Sequence, residues 1–394
     1  MEERSEKVSS ISFFPLDYAS MAGFLAYASS VTAIPICLVA ITEELGLSLG
    51  QAGGLEALRG ILVLVTLLLS GFIAARFGKA RSIGFGCILL GIGMFAYGMA
   101  PFFGALLLAV ALLGLGGGVV EALINPLVQE LHPKDSGRYL NLVNAFWSIG
   151  VLATMLGTGD ALNRDVSWRS VLPFLGCVSL FSGSVFLWLG QGEEKRRAGS
   201  LGQVFANKRA ILRRRRFWVF TALMFLGGAS EGAFTFWSAS LIQIEFGAAP
   251  LAAGVGVALF AGGMILGRLL FAWLVPQERL WALLLWSALG GVGVSLGFPL
   301  LDSIEWAYLA LLLAGVAMAC FWPSLQSYAV DRMCCDATSA FILLSCGGIA
   351  GFASVSWTMG AVGDWLGLRA SFWIVPFYLC LMVLVLLAER RKGA

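Results

Sequence analysis

The chain alternates long apolar runs with short polar breaks. Charged residues and Pro/Gly positions divide it into twelve apolar stretches, at residues 18–42, 50–76, 80–100, 103–131, 139–160, 170–190, 217–244, 250–275, 280–299, 305–330, 337–362 and 370–388. A helix needs about 20 apolar residues to cross a hydrocarbon layer ~30 Å thick. Backbone amides find no water there, so each run satisfies them internally as an α-helix. The pattern predicts an all-α membrane protein of twelve transmembrane helices.

One connection is long and basic. Residues 191–216 carry Lys195, Arg196, Arg197, Lys208, Arg209 and the run Arg213-Arg214-Arg215-Arg216. This segment separates six spans from six. The expected organisation is an N-terminal tail (1–17), a six-helix bundle (18–190), a basic linker (191–216), a second six-helix bundle (217–388) and a C-terminal tail (389–394).

Composition agrees with this picture. Apolar residues are 59% of the 394, and charged residues only 12%, against roughly 25% charged in soluble domains. Soluble enzymes, disordered chains, disulfide-framed modules and nucleic-acid binders are excluded on that ground. Glycine is abundant, 49 residues, as suits helices whose backbones approach closely in a membrane. The eight cysteines show no CxxC pair and no histidine at metal-ligand spacing. They read as small buried hydrophobes, and neither a metal nor a cofactor is expected. The start, Met1-Glu2-Glu3-Arg4-Ser5-Glu6-Lys7, lacks the basic-then-apolar pattern of a secretory signal. The first apolar segment is therefore expected to be retained as a helix.

The net charge of +3 matters less than its placement. With both termini on one face, that face collects 21 of the 26 Lys and Arg residues. The other face has Arg164, Arg169 and Arg369, while Arg59 and Arg268 fall within spans. The positive-inside rule then places both termini and the linker in the cytoplasm, in a multi-pass protein of the cell (plasma or inner) membrane. The basic linker reads as an orientation signal against anionic lipid, not as a nucleic-acid patch.

The two halves echo each other. Glu44-Leu45-Gly46 returns as Glu245-Phe246-Gly247, 201 positions on, and Ala52-Gly53 returns as Ala253-Gly254 at the same offset. Asn125-Pro126-Leu127 answers Trp322-Pro323-Ser324, with prolines 197 apart. Gly159-Asp160 and Trp168-Arg169-Ser170 match Gly363-Asp364 and Arg369-Ala370-Ser371. Two six-span halves joined by a basic loop resemble the major facilitator superfamily, over nearly the whole chain. The resemblance implies halves related by an axis along the membrane normal, a midplane substrate site and alternating access by rocking. The loop between spans 2 and 3 reads Gly71-Phe72-Ile73-Ala74-Ala75-Arg76-Phe77-Gly78-Lys79. It keeps the family's glycines and bases, but Ala75 stands at the usual acidic place.

A narrower resemblance runs from Glu121-Ala122-Leu123-Ile124-Asn125-Pro126 through Gly137-Arg138 to Leu140-Asn141-Leu142-Val143-Asn144-Ala145-Phe146-Trp147-Ser148-Ile149-Gly150. It is similar to the fucose–galactose–glucose:proton symporter branch, as is Gly227-Gly228-Ala229-Ser230-Glu231 with downstream Trp237. Two departures stand out: no Asp lies between Tyr18 and Thr42, and Trp147 replaces an Asn frequent in that branch.

Ionisable groups in mid-membrane cost roughly 2.5–3.5 kcal/mol on insertion scales, so they mark cavities or partners. Glu121 in span 4 is the leading proton-coupling candidate, with Asn125 and Gln129 on the same helix face at i+4 and i+8. The structural alternative is a protonated Glu tying helix 4 to a neighbour. Glu231 in span 7 is the second candidate, in a polar stripe with Thr235 and Ser238. Glu56 and Arg59, at i and i+3 in span 2, read as an internal ion pair with a structural or gating role. Arg268 either snorkels or balances an acid.

Sugar recognition needs flat aromatic faces and polar groups that meet hydroxyls. The candidates are Asn125, Asn141, Asn144 and Trp147 in spans 4–5, Trp237 in span 7, Trp322 and Gln326 in span 10, and Trp357 in span 11. Pro35, Pro126 and Pro323 should kink spans 1, 4 and 10. His132 reads as a solvated loop residue. The expectation is a monomeric, proton-coupled symporter of a small polar solute, a monosaccharide or polyol. The alternative is a proton-antiport exporter of amphipathic drugs or lipids, and a ligand-binding sensor is a third. No Gly-x-x-x-x-Gly-Lys-Ser loop or nucleophile–base set supports an ATP-driven pump or an enzyme.

Overall fold

The computed structural model describes residues 12–132, 136–192, 210–275, 277–333 and 337–391. Among them twelve helices are long and apolar enough to cross a membrane, and no strand occurs. Spans 1–6 are Pro15–Leu45, Leu49–Phe77, Lys79–Gly98, Phe103–Leu131, Ser136–Asn163 and Trp168–Leu189. Spans 7–12 are Arg215–Phe246, Pro250–Leu274, Leu280–Leu300, Ile304–Met333, Ala337–Leu366 and Leu368–Arg390. Helix ends lie within a few residues of the breaks in the pattern, and span 1 starts earlier than residue 18. Tail residues 1–11, linker residues 193–209 and the Cys334–Cys335 pair lie outside the described residues.

Local chemistry sets the helix ends. Ser48 caps span 2 by accepting from the Gln51 amide, and the Gln51 side chain accepts from the Ser48 amide, a reciprocal capping box. Spans 1 and 7 both end at a left-handed glycine, Gly46 (φ 63°) and Gly247 (φ 60°). Each lacks the Cβ that would strain this conformation. The sequence echo at 201 positions is thus also an echo of structure.

Spans 1–6 pack on one another, as do spans 7–12. The halves meet along two seams, span 2 on span 11 and span 5 on span 8, with spans 1 and 7 also touching. The seams hold the halves together away from the face that carries the termini; we call the opposite face distal. Gly53 and Gly254, equivalent in the repeat, make the seams possible. A Cβ on Gly53 would overlap the Ser356 carbonyl, and one on Gly254 would lie 2.7 Å from the Met155 carbonyl. Asp364 locks the distal end of the first seam, accepting from the amides of Leu49 (2.7 Å) and Gly50 (2.8 Å). Each half also carries a distal ion pair: Arg169 on Glu44 at 2.6 Å, and Arg369 on Glu245 at 3.2 Å.

Two expectations need correction, and a third is sharpened. His132 is no solvated loop residue; it is 8% exposed. The chain turns back at the end of span 4, so the imidazole lies flat on Tyr139 (centroids 3.4 Å apart) and donates from Nε2 to buried Asp17 at 2.7 Å. At Pro323 the effect goes beyond a kink: regular α-helix ends at Met318 and resumes at Pro323. Spans 1 and 4 run unbroken past Pro35 and Pro126. Cys37, Cys87 and Cys320 are buried, but Cys177 and Cys380 are exposed on the outer faces of spans 6 and 12.

Candidate functional site

Where the seam ends, about halfway along span 2 at Gly60 and Ala353, a cavity of about 160 Å³ opens between the halves. The first half contributes Tyr27, Val31, Glu56, Arg59, Glu121 and Trp147; the second contributes Glu231, Trp322, Ile349 and Phe352. Tyr27, Glu121, Trp147, Glu231 and Phe352 sit near the middle of their helices, so the cavity lies at mid-membrane depth.

Span 4 presents Glu121 to the cavity, with its surface accessible. Asn125 follows one turn later and accepts from Asn144 Nδ2 at 2.8 Å, tying span 4 to span 5. Gln129, a further turn on, is exposed near the terminal face. Glu121, Asn125 and Gln129 thus share one face of span 4, from the cavity to the exposed end of the helix. The fold repeats the tie in the second half, where Gln326 Nε2 donates to Ser345 Oγ at 2.9 Å between spans 10 and 11.

Span 2 supplies an internal ion pair, as its i, i+3 spacing suggests. Arg59 Nε donates to Glu56 Oε2 at 2.9 Å, and Arg59 Nη2 bonds the other carboxylate oxygen. The two side chains are 8% and 5% exposed. A two-pronged guanidinium–carboxylate pair meets both partners' hydrogen-bonding needs while it removes them from water. Neither Glu121 nor Glu231 is paired with a base among the described residues. Arg268, the sequence's unassigned cation, donates to the Ala319 carbonyl at the break in span 10, 3.4 Å away.

Aromatic rings shape the walls. Trp147 packs on Tyr27 with centroids 4.9 Å apart and edge-on to Phe24 at 6.5 Å. Trp322 sits at the break before Pro323, with its indole directed at the Glu231 carboxyl. Two candidate tryptophans lie elsewhere. Trp237 is fully buried and donates to the Ser356 carbonyl at 3.1 Å, so it joins span 7 to span 11. Trp357 is 52% exposed and does not line the cavity. It lies beside the seam, where a Cβ on Gly54 of span 2 would be 3.6 Å from its Cδ1. Asn141 falls in span 5, and its side chain lies outside the described residues. Asn125, Asn144 and Gln326 are not among the residues that line the cavity.

Sequence reasoning missed Tyr27, Val31, Ile349 and Phe352. Tyr27 and Val31 are an i, i+4 pair on span 1, a spacing that marks one helix face without saying which way it points.

Comparison with known proteins agrees with the fold. The sequence matches the Major Facilitator Superfamily over residues 19–334. The chain is a multi-pass membrane protein and belongs to that superfamily. Over 167 residues it is 26% identical to an uncharacterized transporter of Bacillus subtilis, YycB; the match covers 41% of this chain and 40% of that one. The chain thus spans under half the length of this curated relative. Its fold is similar to that of a bacterial homologue of the human lysosomal transporter Spinster in an inward-facing, occupied conformation (TM-score 0.80, 16% identity, 95% and 96% of the two chains). It is also similar to a D-xylose–proton symporter (TM-score 0.73, 17% identity, 95% and 96%).

Proposed function

We propose that the chain is a secondary transporter that moves a small polar solute, a monosaccharide or polyol, together with protons by alternating access. One observation carries this reading: an unpaired carboxyl, Glu121, faces a mid-membrane cavity walled by Tyr27, Trp147, Trp322 and Phe352 and shared by both halves. Rings offer flat faces to a pyranose, and carboxyls accept from its hydroxyls. At about 160 Å³ the cavity is below the roughly 300–1,000 Å³ typical of sites for drug-sized ligands, which favours a small solute. The D-xylose–proton symporter performs the same class of reaction on this scaffold.

Glu121 is the proton carrier. Neutral, it crosses the membrane interior cheaply; ionised, it requires water or a partner. With both termini in the cytoplasm the closed distal seam leaves the site facing inward, and the proton leaves to the cytoplasm along the face of span 4 that carries Asn125 and Gln129. Coupling to ~100 mV supplies about 2.3 kcal/mol per proton, enough for tens-fold accumulation. The test is uptake of labelled hexoses into proteoliposomes under an imposed pH gradient. Glu121→Gln should abolish uphill accumulation and keep equilibrative exchange. Full accumulation by the variant removes Glu121 from the scheme.

A second reading, proton-antiport export of amphipathic cations, draws on the pairing of unneutralised acids with aromatic walls. Resistance of expressing cells to lipophilic cations, without hexose uptake, would select it.

A further inference from the structure

Charge in the cavity is unequally shared. Its lining holds three carboxyl groups, Glu56, Glu121 and Glu231, and one guanidinium, Arg59. Glu56 engages Arg59 through both of its oxygens, which leaves two acids uncompensated. Glu121 meets accessible space. Glu231 is different: its Oε2 is buried and has no hydrogen-bond partner.

The Trp322 indole is directed at the Glu231 carboxyl, but no donor among the described residues bonds its Oε2. Thr235 donates its hydroxyl to the Glu231 main-chain carbonyl at 2.9 Å, and Ser230 donates to the Leu226 carbonyl at 2.9 Å. Both hydroxyls of span 7 nearest in sequence are therefore committed to their own backbone. Arg268 contributes a distant field, but its Nε points to Ala319. Leaving a buried acceptor unmet costs about 1–3 kcal/mol, more when it is charged. A donor that arrives with the solute would remove that cost. Trp322 and Phe352 also line the cavity on this side, and aromatic faces attract a cation by about 0.5–2 kcal/mol.

We propose that Glu231 is the recognition site for a protonated amine, so that the solute is an amino sugar or amino polyol in preference to its neutral counterpart. This rests on the reading of the cavity as a transport site for sugar-like solutes, and it divides the two acids by role. Glu121 in the first half carries the coupling proton, and Glu231 in the second half reads the substrate's charge. An ammonium supplies three donors and a positive charge to a carboxylate; a hydroxyl supplies one donor and no charge.

Matched solutes test the proposal on the full-length protein in nanodiscs. D-glucosamine is compared with D-glucose, and 2-amino-1,3-propanediol with glycerol, by thermal shift at a pH where the amines are protonated. The amine of at least one pair should half-saturate at a concentration ten-fold or more below that of its neutral counterpart. Glu231→Gln should bring that pair within two-fold, while Glu121→Gln leaves the preference in place. Equal or tighter binding of the neutral members overturns the proposal, and so does a preference that survives Glu231→Gln. The wild-type comparison decides even where the variant fails to fold. Gradient-driven uptake of glucose without amine preference sinks this inference and leaves the sugar-symport reading standing. Binding by none of the four solutes sinks both.

Discussion

The two halves share a scaffold but not its chemistry. Span 2 carries Glu56 and Arg59; at the 201-residue offset, span 8 carries Val257 and Phe260, each 1% exposed in the apolar core. Tyr27 corresponds to Gly228 at the same offset. Trp147 corresponds to Gly351 at the 204-residue offset fixed by Asp160 and Asp364. The first half separates spans 1 and 5 with two rings; the second brings spans 7 and 11 together. A Cβ on Gly351 would meet the Phe225 backbone, and one on Gly228 would meet that of Gly348. Trp322 then covers the glycine-lined face, since a Cβ on Gly348 would lie 2.6 Å from its ring. Duplication supplies the frame, and divergence places the ion pair and the Tyr27–Trp147 wall in one half only.

The largest test of this asymmetry is the ion pair. Arg59→Met leaves Glu56 buried without its partner, and breaking a buried pair costs about 3–5 kcal/mol. The expected result is a large fall in the melting temperature of the purified protein. Glu56→Gln combined with Arg59→Met should recover most of it, because the pair is then replaced by groups of similar volume, as Val257 and Phe260 replace it in span 8. A double variant no better than the single one would show that the pair does more than meet its own needs.

The distal seams differ next. Asp364 accepts from two amides at the start of span 2, where the helix end is a partial positive pole. Its repeat partner Asp160 turns instead to Arg164 on its own helix, at 2.9 Å. The reason is local: span 8 begins at Pro250, which has no amide hydrogen to offer. Asp364→Ala should therefore weaken the closed distal end by about 1–2 kcal/mol, a five- to thirty-fold shift in population. Asp160→Ala should barely move it. Distances between spin labels on the distal ends of spans 2 and 11 check this. Equal responses would mean that glycine packing alone closes the seam.

These contrasts also mark what the sequence made legible. The twelve spans were readable because lipid forces long uniform runs, and the repeat was readable where it repeats backbone requirements, as at Gly46 and Gly247. Glu56 with Arg59 was readable from i, i+3 spacing, which needs no tertiary knowledge. Facing was much less readable. Trp237, Trp322 and Trp357 are alike in sequence, yet one is buried, one lines the cavity and one is half-exposed beside the seam. A helix apolar on all sides carries little periodic signal to say which side faces the centre. His132 was misplaced for a related reason: its partners Asp17 and Tyr139 come from other helices, and only the packing of spans 1, 4 and 5 brings them together.

The smallest effect concerns the feature that both halves keep. Arg169 pairs with Glu44, which also accepts from the Trp168 indole at 2.6 Å. Arg169 further donates to the carbonyls of Gly98 and Ala100. Arg369 pairs with Glu245 and with the exposed Asp302, at 3.2 and 3.3 Å. Exposed pairs contribute about 0.2–1 kcal/mol and are screened by salt. Glu245→Gln should fall in that range and lose its effect at high salt. Glu44→Gln should cost slightly more, because it weakens acceptance from both Arg169 and Trp168, and part of that cost should persist in salt because the indole bond involves no second charge. Melting curves of the two variants at low and high ionic strength distinguish the clamps. Identical salt dependence would show that the extra bonds of the first half add nothing to the shared ion pair.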